Sequence, residues 1–108
     1  MKKRTYIDKP LGDTDYMLEQ WGWWRMDGMG VPRYVITDDL ALAVDSAIAK
    51  LTRRNEQMSL YLWLHFGAKW TMVRIGESGK MSERSAREII KAGVGWVYGV
   101  LQGMSEAA

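Results

Sequence analysis

Arg84, Arg87 and Lys91, interleaved with Ser85 and Glu88, follow closely on Ser82 and Glu83. Long cationic donors set out in this way can contact phosphates and hydrogen-bond base edges in the major groove of a DNA duplex. That chemistry requires a helix that holds them outward, and the same stretch supplies one. Ala86, Ile89, Ile90, Gly93, Val94 and Val97 recur with a helical period, which places one stripe against a core and leaves the cations outside it. Ser82 stands where an N-cap belongs, its hydroxyl able to accept from an amide of the first turn. Glu83 suits the positive end of the helix dipole.

The residues ahead of Ser82 read as a shorter helix and a tight corner. Ile75 and Met81 bracket Glu77-Ser78-Gly79-Lys80, where Gly79 is expected to supply the positive φ of a sharp reversal. Helix, turn and capped second helix over about residues 68–102 have the grammar of a helix-turn-helix. Lys69, Arg74, Lys80, Ser82, Glu83, Arg84, Ser85, Arg87 and Lys91 are the candidate DNA-contacting residues. The plain alternative is a helical hairpin whose arginines only solvate a surface. Charge distribution weighs against it: residues 50–91 hold nine basic and four acidic side chains, whereas residues 1–49 hold six and eight. The net charge of +2 therefore hides a basic block over the proposed motif.

Other chemistry finds little support. The chain has no cysteine, which removes disulfides, thiolate metal sites and thiol catalysis. His65, the single histidine, lies in an apolar segment and reads as a core or subsurface residue. Asp38, Asp39 and Asp45 are explained by a helix start without a metal, and Gly28 and Gly30 follow no strand that would make a phosphate loop. No catalytic residue, metal or cofactor is expected. The basic opening MKKRTYIDKP is not followed by an apolar segment, and no apolar run approaches the ~20 residues needed to cross a bilayer. A cytoplasmic protein without membrane contact is expected.

An all-α fold of about five helices must position these residues. Residues 1–12 read as an extended basic arm ahead of a single helical domain over 13–108. Asp13 or Thr14 is expected to cap a first helix to about Met26, with Met17, Trp21 and Trp24 on one face and Trp23 off it. A Gly/Pro loop follows at 27–32. Thr37 with Asp38 and Asp39 starts a helix whose stripe is Leu40, Val44, Ala47, Ile48 and Leu51, ending at Arg53-Arg54. A third helix is expected over Glu56–Phe66, with Gly67 as its stop. The last helix should reach about Gln102 despite Gly93, Gly95 and Gly99, which weaken it or admit close packing. Six tryptophans exceed the needs of one small core; Trp23, Trp70 and Tyr6 fit an interface, a single-strand stacking surface, or gaps under the arm.

Leu18–Trp24 (LEQWGWW), Asp38–Leu51 (DDLALAVDSAIAKL) and the terminal helix-turn-helix, in that order, resemble the Q-type transcription antitermination proteins of lambdoid phages. The similarity is to the small branch without zinc-ligating cysteines, that of the phage 21 protein, and to the AlpA regulator of Pseudomonas. It covers most of residues 16–101. The resemblance implies a factor that binds a DNA element near a promoter and loads onto paused RNA polymerase carrying its sigma factor. Such a factor then narrows the RNA exit channel so that terminator hairpins cannot form. On the matched positions, Lys80 to Lys91 would meet DNA. Lys2, Lys3, Arg4, Tyr6, Trp23, Arg25 and Arg33 would face the polymerase channel and contact nascent RNA nonspecifically. Two other readings stay open: a helix-turn-helix repressor or activator acting at initiation, and a protein-only adaptor that uses its tryptophans.

Overall fold

The computed structural model describes residues 10–26 and 36–107, and all the regular structure among them is helical. Helix α1 spans Pro10–Arg25, α2 Asp38–Arg54 and α3 Glu56–Leu62. The chain continues from α3 without a break into a π-helical turn, Trp63–Gly67, then forms α4, Met72–Ser78, and α5, Glu83–Ala107. The expected five helices are therefore present. Helix α1 begins at Pro10 rather than Asp13 or Thr14, because the fixed φ of proline suits a first helical turn whose amide needs no partner. Thr14 is buried inside the helix instead of capping it. Lys2, Lys3, Arg4, Tyr6, Arg33 and the Gly/Pro loop lie outside the described residues.

Two helix starts form as the residue types dictate. The Thr37 side chain accepts from the Leu40 amide at 3.2 Å, with Asp38 and Asp39 in the first turn of α2 and Arg53 and Arg54 in its last. Asn55 ends α2 and at once caps α3, its side chain accepting from the Met58 amide at 3.0 Å. Leu18, Val44, Leu62, Ile75, Ile90 and Val97 are the fully buried aliphatic centre, drawn from α1 to α5, with Met17, Trp21, Leu51 and Phe66 around them. Non-polar burial of this kind is what holds short helices that would not persist alone.

Two glycines set how closely the elements approach. A Cβ on Gly22 would fall on the Phe66 carbonyl oxygen, so α1 crosses the π-helical turn at backbone contact. Within that turn the Trp63 indole lies over Gly67, where any side chain would overlap the ring. The wider coil brings residues 63 and 68 into register, with the Ala68 amide donating to the Trp63 carbonyl at 2.9 Å. In α5, Gly93 sits on Leu62 of α3, but Gly95, Gly99 and Gly103 meet nothing within 4 Å. Close packing thus explains one glycine of the series. Helix α5 runs on to Ala107, beyond the expected end near Gln102.

Candidate nucleic-acid interface

Helix α4 and helix α5 are joined through residues 79–82, and the corner is tied by backbone bonds. The Gly79 amide donates to Ile75 at 3.0 Å, Lys80 to Glu77 at 3.2 Å and Met81 to Gly76 at 2.8 Å. The left-handed residue is Lys80, at φ 56°, whereas Gly79 has φ −91°. Positive φ at Gly79 was therefore the wrong expectation. Glycine leaves space there for the end of the Tyr61 side chain, whose hydroxyl would have to move for a Cβ. Ser82 caps α5 as its type and place require, its Oγ accepting from the Ser85 amide at 3.1 Å.

From that cap the helix presents two different flanks. Ala86, Ile90, Val94 and Val97 are buried, and Gly93 with them, while Ile89 is half-buried. Ser82, Glu83, Arg84, Ser85, Arg87, Glu88 and Lys91 are exposed. Arg87 donates to Glu83 at 2.7 Å one turn back, with about half of each side chain in solvent. A pair so exposed costs little to open, because water compensates both partners. Arg84 and Lys91 have no carboxylate within ion-pair distance among the described residues. The corner and the first turns of α5 thus expose Lys80, Arg84, Arg87 and Lys91 beside Glu77, Glu83 and Glu88, cationic on balance.

Lys69 precedes α4 and Arg74 lies in its first turn, each against an indole. The Lys69 ammonium lies 4.1 Å from the Trp23 ring centroid and donates to the Glu19 backbone carbonyl at 3.3 Å. The Arg74 guanidinium carbon lies 3.8 Å from the Trp70 centroid. Trp23 and Trp70 are half-buried rather than free on the surface. Although the lysine as a residue is exposed, its charged end is shielded by these neighbours. That desolvation lowers its pKa from the ordinary 10.5, opposed by the nearby negative charge of Glu19. Between the lowered value and 10.5 the unfolded chain binds the proton more tightly than the folded one. Stability from this side chain therefore rises as pH climbs through that interval. Urea unfolding of wild type and Lys69→Met at increasing alkaline pH is expected to show the wild type gaining on the variant. A constant difference across the series would mean that the ammonium is not shielded.

The residues assigned to a polymerase channel divide. Arg25 binds both oxygens of Asp45, at 3.1 and 3.3 Å, and sits 5.9 Å from the Trp63 centroid, so it ties α1 to α2. The aspartates expected merely to open a helix act as indole acceptors as well: Trp24 donates to Asp38 at 2.9 Å and Trp21 to Asp45 at 3.1 Å. Trp96 donates to the Ala47 carbonyl at 3.2 Å with Arg54 over its ring. His65 is half-buried, its Nδ1 paired with the Trp70 carbonyl at 2.9 Å. No group of three or more His, Cys, Asp or Glu residues among those described could hold a metal ion. No helix among them is long and apolar enough to cross a membrane.

Sequence reasoning did not find the π-helical turn, the left-handed Lys69 at φ 64° or the cation over Trp23. Trp70 and Arg74 are only four residues apart and meet across the cap of α4, so their pairing is local. Lys69 and Trp23, 46 residues apart, offered no local signal. Comparison with protein-family models, curated proteins and solved structures found no match to the chain.

Proposed function

We propose that this chain binds duplex DNA through a helix-turn-helix formed by α4 and α5, with the N-terminal half of α5 as the reading helix. The observation that carries the reading is the exposed run from Ser82 to Lys91. It is cationic on balance, capped at its start and backed by a buried stripe on the same helix. A rigid helix with outward arginines keeps their planar donor forks available for guanine edges and phosphates.

The fuller proposal is a transcription antitermination factor that binds a promoter-proximal element, joins RNA polymerase paused with its sigma factor, and obstructs the RNA exit channel. Its support is the sequence resemblance to the Q-type proteins together with the cationic helix. A body of 40 × 33 × 26 Å can act as a steric obstruction without catalysis, and weak charge contacts let a phosphate backbone slide past. In this reading Lys2, Lys3, Arg4, Tyr6, Trp23 and Arg33 meet the polymerase or nascent RNA. Arg25, also assigned to that surface, is paired with Asp45.

Transcription in vitro separates this from control of initiation. The template needs the bound element beside a promoter and an intrinsic terminator downstream. Full-length RNA beyond the terminator is the expected result, and deletion of residues 2–9 should reduce it while leaving DNA binding intact. Altered initiation with unchanged termination would assign the chain to the repressors or activators instead. Equal readthrough after the deletion would remove the arm from the channel.

A further inference from the structure

We propose that Lys69 and Arg74, each braced against a tryptophan, form a preset clamp for the phosphate backbone of the duplex docked along α5. The proposal rests on the DNA-binding reading and adds a second, sequence-independent site to it. Three observations meet at this place. Both cations lie over an indole, at 4.1 Å from the Trp23 centroid and 3.8 Å from the Trp70 centroid. Among the described residues neither has a carboxylate within ion-pair distance, although other cations of the chain do. The ammonium of Lys69 uses one donor on the Glu19 carbonyl and so has others to give.

The backbone that sets them is unusual and firmly held. Lys69 occupies the left-handed region at φ 64°, a conformation that disfavours a residue with a Cβ. It stands two residues beyond the π-helical turn, and such irregular turns concentrate where a fold positions a functional group. Trp70 is held through both of its backbone polar groups. Its amide donates to Leu64 at 2.8 Å, and its carbonyl pairs with His65 at 2.9 Å. Lysine and arginine stems normally lose rotamer freedom on binding; stems already laid on rings lose less.

The chemistry selects a phosphodiester. A cation already occupies one face of each indole, which leaves at most the other face for a stacked nucleobase. The cleft of about 310 Å³ at this place is lined by Glu19, Trp23, His65, Phe66, Lys69 and Trp70. The Glu19 carboxylate disfavours an anion swallowed by the cleft. It permits a backbone phosphate held outside at the rim by Lys69, with Arg74, which does not line the cleft, left to meet a neighbouring phosphate. Glu19, His65 and Phe66 also line the larger cleft bordered by Arg87, Lys91 and Asp15, so the clamp and the flank of α5 adjoin across a cleft that carries both signs of charge.

The full chain titrated with a short random-sequence duplex over a salt series tests this. A phosphate contact contributes about 0.9 to the slope of log K against log salt, so Lys69→Gln/Arg74→Gln is expected to flatten it by about 2. Lys69→Arg/Arg74→Lys should restore the wild-type slope. In the wild type, the indole N–H resonances of Trp23 and Trp70 should shift on titration and that of Trp96 should stay. Duplex binding with an unchanged slope in the Gln/Gln variant, or with still Trp23 and Trp70 resonances, overturns the clamp alone. Absence of duplex binding by the wild type at low salt removes the DNA reading and the clamp together. Preferential binding of single-stranded RNA with the same indole shifts would overturn the clamp in favour of a stacking site.

Discussion

Gly22→Ala is expected to lower the unfolding free energy by about 3 kcal/mol, the upper part of the range for overfilled interiors. The new Cβ would fall on the Phe66 carbonyl oxygen and lie 2.7 Å from its carbon and 3.0 Å from the Gly67 Cα. All three are backbone atoms of the π-helical turn, so no side chain can rotate out of the way. Helix α1 must withdraw, and the buried contacts of Leu18 and Trp21 loosen with it. Urea unfolding followed by helical circular dichroism should give a lower midpoint at an unchanged slope. Because Trp23 is one residue away and Lys69 only two beyond Gly67, the indole resonance of Trp23 should move as well. A loss below about 0.5 kcal/mol, the range of neutral surface changes, would mean that α1 does not cross the turn at backbone contact.

Arg84→Ala and Arg87→Ala are expected to leave stability nearly unchanged and to weaken specific duplex binding. The expected loss is about 1–3 kcal/mol for each arginine that reads a base edge. Both side chains are exposed, and the one ion pair they make among the described residues, Arg87 with Glu83, is half in solvent. Opening such a pair costs well under the value of a bidentate base contact, so Arg87 can turn from Glu83 to DNA. Fluorescence anisotropy with the preferred duplex, alongside thermal unfolding, measures both effects. Full affinity in the double variant would leave α5 as a surface helix with no reading role. A large fall in melting temperature would mean instead that the arginines brace the fold.

How much of this was legible in the sequence depends on the range of the interactions. The caps at Thr37 and Ser82, most of the buried stripes of α2 and α5 and the outward flank from Arg84 to Lys91 came from local spacing, though Leu40 and Ile48 are half-buried and Ala41 is buried beside them. Such features depend on neighbours within one or two turns, which a sequence displays directly. The start of α1 was misplaced because Thr14 is a good cap by type, whereas Pro10 is a better first helical residue and packing buries Thr14. Gly79 drew the positive φ because glycine accepts it most readily, yet the fold spends that glycine on Tyr61 and puts Lys80 in the left-handed region. The Trp23–Lys69 contact and the seating of Gly22 on Phe66 arise from how α1 crosses the turn after α3. No short-range pattern encodes that crossing. The surplus tryptophans flagged an unusual surface, but their roles as donors to Asp38 and Asp45 and as beds for cations needed coordinates.

Enrichment of duplexes from a randomised pool, run in parallel on wild type and Arg84→Ala/Arg87→Ala, probes base reading by α5 most directly. One shared motif for the wild type, lost or blurred for the double variant, is the predicted result. The same motif recovered at equal strength by both proteins, or none recovered by the wild type, would contradict it.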